Sequence, residues 1–202
     1  MPLLTNIPIT IPEKEVLARL NYRRGMTEIS STMQELLDKI SREALSLIEP
    51  QGIYEITLIK SRTETEIIIS DEFKIRSRQV VKLLSNSKQV VLIACTIGPH
   101  LGKRVSEYEK NGELHKATIL DALGSELADE TAQHINNIIV RQAFFSKIKP
   151  TMRYSPGYGD WNLDVQPVFL KYIGAERIGL SSNDSHTLVP EKSITALMGM
   201  NS

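Results

Sequence analysis

Gln89-Val90-Val91-Leu92-Ile93-Ala94-Cys95-Thr96 is a nearly continuous apolar run. A strand with one wet face alternates apolar and polar residues, whereas an unbroken apolar run predicts a strand buried on both faces. Structure is therefore expected on either side of it. Upstream, Ile53-Tyr54-Glu55-Ile56-Thr57-Leu58-Ile59 and Glu66-Ile67-Ile68-Ile69 are β-rich and split by Ser61-Arg62-Thr63. They read as a hairpin or as neighbouring strands. Ser77 to Leu84 reads as a short helix. Downstream, Gly98-Pro99-His100-Leu101-Gly102 opens a helix to about Lys110, and Asn111-Gly112 makes a turn.

From Glu113 to about Lys147 no proline or turn cluster intervenes, and Leu114, Ala117, Leu120, Leu123, Leu127, Ala128, Ile135, Ile138 and Ile139 form an apolar stripe. An unbroken helix there would be about 50 Å long at 1.5 Å per residue. That exceeds a domain of this size, so a break is expected near Gly124. Toward the N-terminus, Ile7 to Pro12 is extended and Glu13 to about Asn21 reads as a short helix. Gly25 then breaks the chain, Thr27 is the expected N-cap, and Glu28 to about Ile48 has helical spacing. Beyond Pro150, a helix from Gln166 to Tyr172 precedes Arg177–Ser182 and Lys192–Met198, which read as two strands joined by a polar loop. Helices and strands do not alternate regularly, so the expected class is α+β. One domain over 1–202 is expected, with a helical segment over 1–50 and the main α+β body over 51–202.

The chain has 202 residues, 41% hydrophobic and 24% charged, which is ordinary globular composition. Twenty-four basic residues balance twenty-four acidic ones. That gives no support for a nucleic-acid or anionic-membrane binder, so neither partner is expected. No stretch approaches the roughly 20 apolar residues of a membrane span. Met1-Pro2-Leu3-Leu4-Thr5-Asn6 has no basic leader, and a cytoplasmic location is expected. The single cysteine, Cys95, rules out an internal disulfide and a cysteine zinc site. Burial in the strand is its first reading and a reactive thiol its second.

Common chemical motifs are missing. There is no Walker A loop, no H-E-x-x-H and no G-x-S-x-G, and no metal is expected. Gly98 to Gly102 lacks the dinucleotide pattern and reads as a strand-to-helix turn, with anion binding at the helix start as the lesser alternative. His100, His115, His134 and His186 read as surface or helix-face residues. Arg153-Tyr154-Ser155-Pro156-Gly157-Tyr158-Gly159-Asp160-Trp161 is different. Aromatic residues make up only 5% of the chain, yet three, including the only tryptophan, fall in these nine positions. Glycine lets backbone approach a flat ligand, arginine can grip a carboxylate with two hydrogen bonds, and an aromatic face can meet a purine or a sulfonium. The alternative is an aromatic turn that plugs one end of the core.

Arg153-Tyr-Ser-Pro-Gly157-Tyr158 resembles the R-x-x-x-G-Y signature of the S-adenosylmethionine-binding activation domain of vitamin B12-dependent methionine synthase. The run to Asp164 is similar to stand-alone bacterial members of that family. Ile178-Gly-Leu-Ser-Ser182 and Leu188-Val-Pro190-Glu-Lys-Ser193-Ile194 resemble the family's later I-x-L-T-x-S…M-x-P-x-x-S-V segment, with Leu188 for the usual Met and Ser181 for the usual Thr. Leu120-Asp121-Ala122-Leu123-Gly124 fits less specifically. The resemblance is clear over about Ile119 to Met198.

The resemblance implies a curved antiparallel sheet with flanking helices. It implies a stand-alone protein that binds S-adenosylmethionine and supports reductive methylation of cob(II)alamin, the cobalamin being held by the partner. That partner would be a cobalamin-dependent methionine synthase or a related corrinoid protein, with flavodoxin or another protein as electron donor. The alternative is a module that binds S-adenosylmethionine or a corrinoid protein without a catalytic role. Whether the chain counts as an enzyme stays open, since it would act as part of a methyltransferase in methionine biosynthesis. By the same resemblance Arg153 would bind the methionine carboxylate, and Ser155 would meet the ligand through its backbone. Gly157 would permit close approach, and Tyr158 would line the adenosine or methyl end. The family also places acids on the ligand amine. Asp129 and Glu130 are the candidates here, with solvated helix charge as the alternative. Asp160 and Trp161 depart from the family pattern and are expected at the pocket rim.

Overall fold

The computed structural model describes residues 1–22 and 29–201. The expected break at Gly25, N-cap at Thr27 and helix start at Glu28 lie outside them. In chain order the first elements are β1 (Leu3–Leu4), α1 (Glu13–Arg19), α2 (Ser31–Leu47), β2 (Gln51–Leu58), β3 (Ser61–Arg62), β4 (Glu66–Ile68) and β5 (Lys74–Arg76). Next come α3 (Arg78–Leu83), β6 (Ser87–Thr96), α4 (His100–Lys110), α5 (Leu114–Phe145) and β7 (Lys149–Pro150). A 3-10 turn at Leu163–Val165 leads into α6 (Gln166–Ile173), and a second at Ala175–Ile178 leads to β8 (Ser181–Ser182), β9 (Leu188–Val189) and β10 (Ser193–Asn201).

The α+β class holds. Five antiparallel strands in the order β1-β2-β6-β10-β7 make the main sheet. The apolar run is its central strand, and its residues sort by parity, as a pleat requires. Val90, Leu92 and Ala94 join Phe73, Trp161 and Phe169 in one core. Val91, Ile93 and Cys95 join Ile135, Ile139 and Ala143 of α5 in a second. Cys95 is fully buried, as its first reading has it, and that burial pushes its thiol up to about 12. A third core joins α2, α4 and the first half of α5 through Ile40, Leu101, Leu120 and Leu123, and Ile194 of β10 packs against it.

Several expectations change. Helix α5 does not break at Gly124 but runs through all 32 residues. Its first half packs on α2 and α4 and its second half on the sheet, so its length spans two layers. Gly124 serves close packing instead, since a Cβ there would lie 2.5 Å from Leu101 Cδ2. The expected hairpin partners part company: β2 pairs with β1 and β6, while β4 pairs with β3 and β5 in a separate small sheet. Of the strand expected over Arg177–Ser182 only Ser181 and Ser182 are extended, since Arg177 and Ile178 lie in the second 3-10 turn. The polar loop after them turns at Asn183–Thr187 so that β8 meets β9, while β10 lies along β6. Helix α2 starts at Ser31, where Ser30 accepts from the Met33 N–H at 3.2 Å and caps it. Leu3 and Leu4, in the segment expected to be helical, form the edge strand β1.

Candidate functional site

Strand β10 builds the site. One edge lies along β6 throughout. The other edge is only partly covered: β7 meets Met200 and Asn201, Thr151 meets Gly199, and Tyr154 exchanges backbone bonds of 2.8 and 2.9 Å with Leu197. After Tyr154 the chain leaves the strand. A cavity of about 520 Å³ opens where the edge is left bare, lined there by Ser193, Ile194 and Thr195. Asp129 of α5 closes it on one side of the sheet and Gln166 of α6 on the other. Met152 to Pro156, Tyr158 and Leu163 wall it from the preceding loop, and His186, Thr187, Leu188 and Glu191 from the loop that leads into β10.

The loop geometry follows from alternation about that edge. Arg153 turns toward α5, where Nη2 donates to Asp129 Oδ1 at 2.5 Å. Its Nη1 is buried and has no partner among the described residues. Tyr154 turns to the other face and stacks on Trp161 with ring centroids 6.2 Å apart and planes 6° from parallel. Its hydroxyl donates to Gln79 Oε1 and reaches the Tyr158 carbonyl at 3.0 Å. Trp161 is fully buried and closes the first core. Asp160 accepts from Ser77 Oγ at 2.5 Å, from the Arg78 N–H at 2.7 Å and from the Gln79 N–H at 3.3 Å. The Ser77 hydroxyl, followed by the two backbone donors, holds the Asp160 carboxyl below its ordinary range. Gly157 sits at φ 92° in a turn whose N–H donates to the Trp161 carbonyl at 2.7 Å.

Four of the six expected site residues come together: Arg153, Ser155, Tyr158 and Asp129 all line the cavity. Gly157 and Glu130 are not among its lining residues. Gly157 supports the wall through its positive φ. Glu130 is one residue past Asp129, about 100° further round a helix of 3.6 residues per turn. The rim role expected of Asp160 and Trp161 is not what the structure shows. One anchors the loop to the start of α3 and the other plugs the core. The two readings of the aromatic segment thus divide along it: Tyr154 and Trp161 are structural, while Tyr158 is 67% exposed at the mouth of the cavity.

Sequence reasoning also missed two residues. His186 reads from the sequence as a surface or helix-face residue, yet it lines the cavity with its Nδ1 buried and without a partner among the described residues. Its backbone is left-handed at φ 61°, held by Asn183, whose side chain accepts from the Ser185 and Thr187 N–H groups at 3.0 Å. An Asn-Asp-Ser-His turn carries that signal faintly. Gln166 is 97% buried by virtue of its 3% exposure, and it accepts at Oε1 from Thr195 Oγ1 at 2.9 Å. At the start of Gln-Pro-Val-Phe it looks like an ordinary first-turn residue, and only the fold shows it meeting β10. Among the described residues, no group of three or more His, Cys, Asp or Glu could hold a metal ion, and no helix is long and apolar enough to cross a membrane.

No family model matches the chain, and no curated protein matches it. Among solved structures, the MetH reactivation domain bound to AdoHcy superposes with a TM-score of 0.68 over 98% of this chain and 78% of that one. This is the reactivation-domain fold. The two sequences are 11% identical, so what they share is the arrangement of the curled antiparallel sheet and its helices.

Proposed function

We propose that this chain binds S-adenosylmethionine in the β10 cavity and supports reductive reactivation of a cobalamin-dependent methionine synthase or a related corrinoid methyltransferase. One observation carries the reading: Arg153 and Asp129 stand as a pair at one end of the cavity with their hydrogen-bonding capacity incompletely used. An α-amino acid presents a carboxylate and an ammonium on one carbon, so it needs a cation and an anion side by side. Arg153 supplies the first, and Asp129, 56% exposed, supplies the second.

The remaining wall suits the rest of the ligand. Tyr158, Leu163 and Leu188 are apolar or aromatic, and the volume falls in the roughly 300–1,000 Å³ range of small-molecule pockets. When bound, S-adenosylmethionine would supply a methyl group on a cationic sulfur. Arg153 and Asp129 would fix its amino-acid end, and the exposed Tyr158 ring would face the sulfonium or the adenosine. Asp160, Tyr154 and Trp161 would keep that loop from moving, so that the reacting end is presented in one orientation. The neighbouring fold, bound to AdoHcy, supports this reading. A corrinoid protein and an electron donor such as flavodoxin would complete the system.

Calorimetric titration with S-adenosylmethionine, alone and with a candidate corrinoid partner, tests the site. Saturable one-to-one binding is expected. Absence of binding at about 1 mM ligand in both settings, weaker than about 4 kcal/mol, overturns it. The second reading, a binding module without a reactivating role, uses the same cavity, since the methyl acceptor in reactivation would be the partner's corrinoid and not a group of this wall. Conversion of cob(II)alamin to methylcobalamin on the synthase, with a reductant added, separates the two.

A further inference from the structure

We propose that Gln166 and Thr195 form the base-reading corner of the cavity and make it selective for a 6-aminopurine over a 6-oxopurine. This rests on the S-adenosylmethionine reading above and adds to it which atoms choose the nucleoside.

The two ends of the cavity differ in kind because they lie on opposite faces of β10. Charge is concentrated toward α5, at Asp129 and Arg153. Toward α6 the polar groups are neutral, and they stand beside the flat and apolar Tyr158 and Leu163. A zwitterionic nucleoside therefore places its amino-acid end toward α5 and its uncharged base toward α6.

Three polar groups converge on that second end. In an antiparallel ladder, residues whose N–H and C=O face one neighbour alternate with residues that face the other. Leu197 gives both groups to Tyr154 on the outer side. Thr195, two residues earlier, faces the same way, and there the neighbouring chain has already departed. Its N–H and C=O are a donor and an acceptor side by side on a strand edge that no described residue covers there. Gln166 adds a third group. Its Oε1 is engaged by the Thr195 hydroxyl at 2.9 Å, which fixes the carboxamide with its NH2 free of any partner among the described residues.

Adenine presents a ring-nitrogen acceptor next to an exocyclic amine donor. That order is complementary to a backbone N–H beside a C=O, and a further ring nitrogen can accept from the Gln166 amide. Replacing the 6-amino group by a 6-oxo group reverses the order. An oxygen would then face the Thr195 carbonyl, and an N–H would face its N–H. Polar groups that a site leaves unpaired are what let hydrogen-bonding pockets reject near-isosteres strongly.

The test uses the intact chain and two ligands, S-adenosylhomocysteine and its deaminated analogue S-inosylhomocysteine, titrated by calorimetry. The wild type is expected to bind the adenosyl compound at least about tenfold more tightly. Gln166→Leu and the isosteric Thr195→Val are expected to weaken adenosyl binding by about tenfold and to narrow the discrimination. The ligand comparison is made on wild-type protein, so it stands even if a variant fails to fold. Equal affinity of the wild type for both ligands overturns the inference and leaves the proposed function intact. Failure of the wild type to bind either ligand, both alone and with a candidate corrinoid partner present, overturns both.

Discussion

Arg153→Met separates a binding guanidinium from a structural one, because the two roles predict opposite signs for stability and affinity. Methionine keeps the unbranched stem and much of the volume of arginine and removes the charge. In the free protein the arginine makes one ion pair, to an Asp129 that is 56% exposed. A pair open to water on one side contributes no more than about 1 kcal/mol, and Asp129 can be rehydrated when its partner goes. Against this stands the buried Nη1, without a partner among the described residues, which costs about 1–3 kcal/mol. Loss of the guanidinium should thus leave stability unchanged or raise it by up to about 3 kcal/mol. For a chain of this length that is a rise in Tm of no more than about 12 °C. The ligand carboxylate loses a charge-assisted contact worth about 2–3 kcal/mol, so S-adenosylmethionine should bind roughly 30- to 150-fold more weakly. Thermal unfolding and calorimetry on the same preparation read both quantities. A variant that unfolds several degrees lower while binding S-adenosylmethionine like the wild type would refute the reasoning.

Gly159→Ala should destabilise the fold by about 1–3 kcal/mol in urea unfolding, because Gly159 has φ 58° and its new Cβ would meet Gln79 and lie 2.6 Å from the Tyr154 hydroxyl. Ligand affinity should fall with it, since that contact holds the cavity wall. Burial alone would raise the Glu43 carboxyl, but hydrogen bonds from Tyr108 and Arg104 and the charges of Arg104 and Lys116 outweigh it and hold it below 4.5. A depressed folded-state value means the stabilisation is complete above 4.5 and is lost as pH falls through the lower folded value. Wild type should therefore exceed Glu43→Gln in stability at pH 7, with the gap closing in acid unfolding curves below about pH 4.5. Cys95 should resist a thiol reagent such as dithiobis-nitrobenzoate in native buffer and react at one equivalent in denaturant.

What was legible in the residues was the local and the periodic. The unbroken apolar run from Val90 to Cys95 announced a strand covered on both faces, and the resemblance around Arg153 to Tyr158 located one wall of the cavity. Partner choice was not legible. Ile53–Ile59 and Glu66–Ile69 are adjacent and equally β-prone, yet nothing local says that β6 outcompetes β4 for β2. The unbroken α5 was hidden for a related reason: its length looks excessive until α2 and α4 are known to stack beyond the sheet. Gln166 and His186 reach the cavity only because α6 and the Asn183 turn are folded against β10, a relation between segments distant in sequence. Asp160 and Trp161 misled because a carboxylate and an indole beside a binding motif look functional, although their work is to hold it in place.

A bare strand margin is ordinarily a hazard, for it offers a template on which a neighbouring molecule can extend the sheet. The margin of β10 is left open for only a few residues, between the Tyr154 bridge at Leu197 and Ser193, whose N–H already donates to the Glu191 carbonyl at 2.8 Å. Loops fence both ends. A peptide strand cannot lie down in so short a gap, while a compact ligand can enter it. The protein thereby keeps main-chain recognition groups exposed without inviting fibrils.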